Sequence, residues 1–505
     1  MQTLQEWMAQ GQANAVCLSA SGAAPFTYQG LRDLTAHVQQ SLNAVGIGRH
    51  DRVAIVLPNG AEMAAAFVSV AASSTSAPLN PAYRADEFEF YLNDLNAKAM
   101  LVEQGSQSPA VEVARKLGVS IIYLRPTPQQ GAGSFTLDTS SRSAQSTSAP
   151  GMAQADDVAL VLHTSGTTSR PKIVPLNHRN VCASAAHIAR STAFSATDRG
   201  LNVMPLFHIH GLIAGILAPL SQGGEVHCTA GFNALKFFAQ MEDVKPTWYT
   251  AVPTMHQAIL SRAANNRAVI QKVPLRFIRS SSSSLPPQVL AELEATFHAP
   301  VIEAYGMTEA AHQMACNPLP PGKRKPGTVG LAAGPEVAIM DTEGHLLASG
   351  STGEIVIRGP NVTLGYENNE QANADNFTHG WFRTGDQGVI DNEGYISITG
   401  RLKEIINRGG EKISPREIDE ILMDHEAVAQ VVCFGIPHDK LGEEVGAAVV
   451  LRDGKTATEK ELREYVATRV ADFKVPRKIL LLDEIPKGAT GKLQRIGMAQ
   501  KLGLA

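Results

Sequence analysis

The sequence predicts an α/β fold, and three observations carry that prediction. Short apolar runs of strand length alternate with stretches of helical period through residues 28–305. Several of those runs end in loops bearing Gly, Ser, Thr or His. At 505 residues the chain also exceeds what one hydrophobic core supports, so more than one domain is expected. The alternating order points to layered sheets covered by helices, with ligands bound beyond the carboxyl ends of strands.

Tyr28 to Val45 carries apolar residues at helical spacing, and Arg52 to Leu57 reads as a buried strand closed by Pro58-Asn59-Gly60. Ala61 to Ala72 is an alanine-rich helix, after which Ala77 to Pro81 turns the chain. Lys98 to Val102 and Val119 to Leu124 are short strands. Pro126 to Gln154, rich in Ser, Thr, Gly and Gln, reads as an exposed loop.

Val158 to His163 is the next strand, and it runs into Thr164-Ser165-Gly166-Thr167-Thr168-Ser169-Arg170-Pro171-Lys172. Hydroxyls and glycine straight after a strand turn O–H and N–H groups towards one point, as a phosphate chain requires. Lys172 adds a mobile charge. A Walker loop would need G-x-x-x-x-G-K-[ST]. Here Gly166 is followed four residues later by Arg170, and Lys172 by Ile173, so that reading fails. Taken alone, the stretch also fits a plain Ser/Thr-rich surface turn.

Val181 to Thr192 is a helix, and Leu201 to Phe207 is a strand running into His208-Ile209-His210-Gly211. Glu225 to Cys228 is a short strand, and Thr247 to Pro253 ends one before the helix Met255 to Ala263. Phe277-Ile278 leads into Arg279 and five serines, Ser280 to Ser284. Pro286 to Phe297 is helical, with Pro near its start. Val301 to Tyr305 opens onto Gly306-Met307-Thr308-Glu309. The loops after residues 163, 207, 279 and 305 are then expected to form one site.

Past residue 330, Glu354 to Ile357 and Gly394 to Ile398 alternate as antiparallel strands do. Residues 402–505 are richer in charge, carry helix patterns at Pro415 to Met423 and Glu459 to Val470, and read as a small separate module. Pro486 to Lys492 is a glycine loop presenting lysines, which in isolation also fits a solvated basic turn.

Bulk composition excludes several function classes. With 44 basic against 48 acidic residues, charge favours neither nucleic acid nor an acidic membrane as a partner. The five cysteines lie far apart without a CxxC, so they read as free thiols of a reducing compartment. No secretory signal opens the chain, and the apolar stretch Gly211 to Leu220 is too short to span a bilayer. A cytoplasmic protein without a membrane span is expected.

Seven stretches in order resemble the adenylate-forming superfamily of acyl-CoA ligases, luciferases and peptide-synthetase adenylation domains. They are Thr164–Lys172, Met204–Gly211, Tyr305–Glu309, Thr384-Gly385-Asp386, Gly400–Glu404, Gly409–Ile413 and Thr490-Gly491-Lys492. The resemblance implies a large N-terminal domain (1–401) of layered α/β sheets plus a small β-barrel-like subdomain, and a small mobile C-terminal α+β domain (402–505). It implies two half-reactions: Mg-ATP and a carboxylic acid give acyl-AMP and pyrophosphate, then coenzyme A takes the acyl group.

By the same resemblance, Thr164, Ser165, Gly166, Thr167, Thr168 and Lys172 hold the β- and γ-phosphates, Thr308 donates to the α-phosphate, and Glu309 holds Mg²⁺. Glu303, Ala304 and Tyr305 border adenine, while Asp386 with Arg401 takes the ribose. Lys492 bridges the carboxylate and the α-phosphate. Lys403 stands at the hinge, where many relatives carry Asp, and Gly409 and Gly410 line the pantetheine tunnel. Ser169 and Ile173 stand where many relatives carry glycine.

The acyl pocket implied by the resemblance is formed around His208, Ser280–Ser284 and His312. Hydroxyls and imidazoles at Ser280, Ser281, Ser282, His208, His210 and His312 are costly to bury unless a polar ligand satisfies them, which disfavours a long apolar acid. The wording of His163–Lys172, Pro205–Leu212, Thr247–Thr254 and Asn407–Pro415 is similar to the oxalate–CoA ligase group. A small polar acid, oxalate foremost, is the expected substrate; another small or medium carboxylic acid, or a carrier protein in place of coenzyme A, is the alternative. These histidines also fit a purely packing role.

Overall fold

The computed structural model of the chain describes residues 2–140, 144–164, 171–488 and 492–505. Two large sheets, parallel inside and antiparallel at their edges, dominate the N-terminal part. One runs Phe135–Asp138, Ser120–Pro126, Ala99–Glu103, Arg52–Val56, Thr75–Pro78, Val158–His163 and Ile173–Asn177 from edge to edge. The other runs Leu331–Ala332, His312–Cys316, Val301–Met307, Phe277–Ser281, Trp248–Ala251, Arg199–Asn202, Glu225–Cys228, Val16–Ser19 and Phe26–Thr27. The inner strands are covered on both faces, which is why they read as continuous apolar runs rather than alternating ones.

One apolar cluster fills the space between these layers, joining Phe67, Leu160, Val174, Ile213, Phe277 and Ile302. The helix Ala61–Ala71 is buried almost all round and supplies much of it. A second cluster lies on the other face of the second sheet, where Tyr249, Ile278 and Val301 meet Ile259 and Leu293. That cluster continues into Ile406, Ile418 and Val445 of the C-terminal part. Side-chain caps start the helices where the sequence offers them: Thr27 accepts from the Gly30 N–H, and Asn177 and Thr458 close capping boxes with Asn180 and Glu461.

A third, antiparallel sheet follows, with Glu336–Met340, Thr352–Arg358 and Trp381–Ile390 side by side and Phe377–Thr378 and Ile396–Arg401 both against the last. This is the small all-β element expected between the two larger parts. After a single tight turn, Leu402–Glu404, the chain enters a fourth sheet built from Ile406–Arg408, Glu411–Ile413, Val428–His438, Gly442–Leu451 and Lys478–Leu481. The helices Pro415–Met423 and Glu459–Ala467 pack on it. The molecule is thus mixed α/β, a large N-terminal assembly of sheets followed by a smaller C-terminal one.

The structure corrects the sequence reading at four places. Thr75–Pro78, read partly as a turn, is a fully buried strand, because Ser and Thr between two apolar neighbours fill a parallel slot without any periodic signal. The supposed exposed loop 126–154 contains the edge strand Phe135–Asp138, anchored by Phe135 in the core. The strand expected through Phe207 stops at Asn202, whose side chain bonds the N–H and C=O of Met204 and turns the chain out of the sheet. The strand expected to end near Arg279 continues through Ser280 and Ser281, held by parallel pairing with Glu303 and Ala304.

Candidate active site

The carboxyl ends of the strands at residues 163, 281 and 307, with the chain leaving the one at 202, converge on one region, and the third sheet and the C-terminal part close over it. At one end of it Thr164 and Lys172 bond to each other: the Thr164 N–H donates to the Lys172 carbonyl at 3.0 Å and the Lys172 N–H to Thr164 Oγ1 at 3.3 Å. Ser165, Gly166, Thr167 and Thr168 lie outside the described residues. Lys172 Nζ sits 4.3 Å from the centroid of the Tyr366 ring, and the Tyr366 hydroxyl donates to Glu309 Oε1 at 2.8 Å. Tyr366 therefore spaces the cation from the carboxylate and positions both. Burial lowers the pKa of Lys172, with the Lys403 charge adding to it, and burial raises that of Glu309. Each group is thus short of its natural counter-charge.

Thr308 and Glu309 start a tight turn at the end of Val301–Met307, and Thr308 is partly exposed there. The same strand presents Glu303, Ala304 and Tyr305, all buried. The Tyr305 hydroxyl donates to Asp386 Oδ2 at 2.5 Å, and Arg401 Nε donates to Asp386 Oδ1 at 2.9 Å. Antiparallel pairing places Asp386 opposite Arg401, so the ion pair follows from the register of two neighbouring strands. Arg401 is held fully charged by Asp386, while Asp386 keeps further lone pairs free for a diol.

Lys492 enters the same region from the C-terminal part. Burial, reinforced by the Arg401 charge, brings its pKa down to about 8. Its charge in turn adds to the burial that pushes His208 down to about 3 and His210 and His312 well below the ordinary imidazole range. Lys492, Arg401, Asp386 and the three histidines thus share one electrostatic neighbourhood. The segment is fastened nearby: Gly488 N–H donates to the Lys492 carbonyl at 2.8 Å, and Arg495 bridges Glu404, at 3.2 Å, and Asp419, at 2.5 Å.

The histidines form an ordered polar layer. His210 and His312 stack with centroids 4.9 Å apart and planes 15° from parallel. Nδ1 of His210 lies 3.0 Å from Ser282 Oγ and its Nε2 lies 2.7 Å from Thr250 Oγ1, while its N–H donates to His208 Nδ1 at 3.3 Å. Ser282 and His312 have φ of +76° and +98°, conformations that L-residues hold only when the surroundings enforce them. Gly306 is obligatory beside them, because a Cβ there would lie 1.9 Å from the His312 carbonyl oxygen.

Strand geometry divides the serines: Ser280 and Ser281 face opposite sides of the strand, and Ser282 lies past its end. Ser282 reaches His210, whereas Ser281 donates to the Ala304 carbonyl at 2.7 Å, and Ser280 sits beside Glu303 with its hydroxyl buried and unpartnered among the described residues. Gly409 and Gly410, with φ of +59° and +99°, form the exposed turn between Ile406–Arg408 and Glu411–Ile413 and lie outside the buried cluster. Lys403 is exposed in the turn Leu402–Glu404.

Sequence reasoning gave no role to Tyr366, Thr250 or Arg279. The first two carry no local signature. Arg279 was visible at the head of the serine run, and a charged residue inside a strand of buried pattern was the signal. Among the described residues no helix is long and apolar enough to cross a membrane, and no three His, Cys, Asp or Glu side chains gather as a metal-binding group.

Comparison with known proteins fits this geometry. Residues 4–367 match the family model "AMP-binding enzyme" and residues 417–492 match "AMP-binding enzyme C-terminal domain". The oxalate–CoA ligase of Arabidopsis thaliana is 45% identical over 489 residues, spanning 96% of this chain and 95% of that protein. The sulfoacetate–CoA ligase of Cupriavidus necator is 33% identical, over 95% of this chain and 93% of its own. ATP-bound MatB from Rhodopseudomonas palustris superposes with a TM-score of 0.87 at 26% identity, covering 99% of this chain and 98% of the other. Fold, order of segments and similarity along nearly the full length agree: the chain belongs to the AMP-binding enzyme family and carries that family's C-terminal domain.

Proposed function

We propose that the protein is an ATP-dependent acid–CoA ligase of the AMP-forming type whose acid is a short dicarboxylate, oxalate foremost. A carboxylate oxygen attacks the α-phosphorus of ATP, the bond to the bridging oxygen breaks, and pyrophosphate leaves. The thiolate of coenzyme A then attacks the acyl carbon and AMP departs. The observation that carries this reading is the meeting of Lys492 with Asp386, Arg401 and three imidazoles in one recess. A cation from the C-terminal part there faces a polar pocket instead of an apolar one.

Bringing a carboxylate to a polyphosphate joins two anions, so charge neutralisation and positioning are the main requirements. In this reading Lys172 and the loop beginning at Thr164 hold the β- and γ-phosphates, and Thr308 donates to the α-phosphate. Glu309 fits Mg²⁺: it is a buried oxygen donor lacking a full counter-charge, and the remaining ligands would be phosphate and water oxygens. Asp386 and Arg401 take the ribose beside Tyr305, and Lys492 bridges carboxylate and α-phosphate. Gly409 and Gly410 serve coenzyme A once the C-terminal domain, residues 402–505, has turned about Lys403. The change of sheet across Leu402–Glu404 supports a boundary there.

Oxalate and sulfoacetate, the acids in the names of the two relatives, share a short chain and a second anionic group. A pocket of hydroxyl and imidazole suits that chemistry and leaves a long apolar tail unsatisfied. Five cysteines that are all buried and unpaired support a cytoplasmic setting in this reading. The deciding experiment is pyrophosphate release across oxalate, malonate, acetate, benzoate and octanoate, with and without coenzyme A. Oxalate is expected to give the highest kcat/KM, with AMP as co-product and oxalyl-CoA only when coenzyme A is present. Octanoate as the best acid overturns the substrate, and transfer only to an added carrier protein overturns the acceptor.

A further inference from the structure

Arg279 is a buried cation without an anion. It is 1% exposed, and no carboxylate pairs with it among the described residues. Its guanidinium instead meets uncharged groups: one terminal nitrogen lies 3.4 Å from His210 Nε2, and the other lies 3.1 Å from His312 Nε2 and 3.3 Å from Gln313 Oε1. Its Nε is buried and unpartnered there. Burying an uncompensated charge is among the most unfavourable things a core can do, so a fold that keeps one implies a ligand that completes it.

The geometry also bears on the protons. A guanidinium only donates, so its contacts to both rings are hydrogen bonds when Nε2 accepts and the neutral ring carries its proton on Nδ1. For His210 that Nδ1–H points at Ser282 Oγ, and the Thr250 hydroxyl, 2.7 Å from Nε2, shares that nitrogen's one lone pair with Arg279. Ser282 Oγ thereby accepts from the ring, and its own proton is free to be donated. Ser282 is partly exposed, whereas Arg279, His210 and His312 behind it are buried. The depressed pKa values of both rings agree with neutral imidazoles.

We infer that Arg279 is the positioning and specificity-determining residue of the acid pocket: it locks His210 and His312 as Nδ1–H tautomers, presents Ser282 as a donor, and supplies the positive charge that the second carboxylate of a dicarboxylate acid neutralises. The inference rests on the acid–CoA ligase reading and names which part of the acid is recognised. Acids without a second anion leave the charge uncompensated, so discrimination originates one layer behind the groups that touch the substrate.

The test compares oxalate with glyoxylate, which keeps one carboxylate and replaces the other with an aldehyde. Pyrophosphate release is measured in the full-length wild type, Arg279→Met, Arg279→Lys and Ser282→Ala. Arg279→Met is expected to raise KM for oxalate at least ~30-fold, while KM for ATP and for glyoxylate moves less than ~3-fold. Any imidazole ionisation in its kcat/KM profile for oxalate should move upward relative to the wild type, because one of the charges that depress both rings is gone. Ser282→Ala should raise KM for oxalate roughly 10-fold without that shift.

Arg279→Lys keeps the charge yet cannot serve both rings, so an intermediate loss of the oxalate-to-glyoxylate ratio is expected. It keeps the test open should the methionine variant fail to fold. An unchanged ratio in a folded Arg279 variant, with both acids falling together, overturns the inference and leaves the ligase reading standing. A wild type that releases no pyrophosphate with either acid overturns the ligase reading and the inference together. Imidazole ¹⁵N spectra of the wild type supply a readout free of activity: Nε2–H tautomers at His210 and His312 would overturn the relay alone.

Discussion

Lys492 shows how one residue's setting becomes a pH dependence. Burial first, and the Arg401 charge second, lower its pKa to about 8, so the free enzyme loses this cation as pH rises through that value. Adenylation kcat/KM should therefore decline above pH about 8, and Lys492→Arg should carry the decline beyond the accessible range. Replacing the lysine with alanine should slow acid-dependent pyrophosphate release by about 10²–10³-fold, as removal of a preorganised charge at the reacting centre does. A flat wild-type profile to pH 10 would contradict the assignment. Glu303 presents the opposite sign. Burial raises its carboxyl to about 8 against the opposing pull of Arg416 and of the Leu285 and Gly327 N–H groups, and one oxygen has no partner among the described residues. The native carboxyl then keeps its proton where the unfolded one has lost it, so stability falls as pH rises from about 4.5 to about 8. Without ligand, Glu303→Gln should unfold at a higher temperature than the wild type at pH 8, with the gap closing towards pH 5.

At the scale of elements, the site is built where strands stop. Val301–Met307 ends in the tight turn that carries Thr308 and Glu309, and it returns antiparallel as His312–Cys316 through two residues of positive φ, Ala311 and His312. Gly306 admits that return, since its missing Cβ is the space the His312 carbonyl occupies. Gly306→Ala must displace backbone, and an expected loss of roughly 1–3 kcal/mol follows, read by chemical denaturation. Loss of oxalate affinity should accompany it, because His312 cannot stay beneath Arg279 if its carbonyl moves. The segment after Asn202 is a second case: the chain leaves the sheet, places His208 half-exposed and His210 fully buried, and continues as a π-helical turn, His210–Leu217. Such turns are rare and concentrate at functional sites. None of its apolar residues reaches solvent, so the apolar stretch judged too short to span a bilayer is core.

At the scale of the molecule, a C-terminal lysine and an N-terminal strand belong to one recess, and the two parts share an apolar cluster through Ile406, Ile418 and Val445. Polar contacts cross the junction as well: Gln257 Nε2 donates to the Ala429 carbonyl at 3.0 Å, and Ser414 Oγ to the Thr399 carbonyl at 2.5 Å. The second arrangement proposed above for the thioester step requires these to break while the turn Leu402–Glu404 changes its backbone angles. Lys403→Pro removes one of those angles from use. It should leave pyrophosphate release within about threefold of wild type and depress oxalyl-CoA formation at least tenfold, a split seen by assaying both products; equal loss of both would argue against a hinge at 403.

The sequence by itself determined the class of fold, many of the strands and helices between residues 28 and 305, and the identity of the residues at several strand ends; the strands of the fourth sheet and of Val16–Ser19, Ile173–Asn177 and His312–Cys316 were not read from it. Periodicity, glycine and proline are local signals, and Val158–His163, Glu225–Cys228 and Pro415–Met423 are legible from them residue by residue. Tertiary structure alone decided what meets what. Thr75–Pro78 is a strand only because two neighbours hold it, and Ser280 and Ser281 differ only because a strand alternates its faces. The pairing of Tyr366 with Lys172 and Glu309 spans nearly two hundred residues of chain. Arg279 stood in plain view before its serines, yet its role depended on the absence of a nearby carboxylate. A missing partner is a property of three-dimensional surroundings, and no local pattern encodes it.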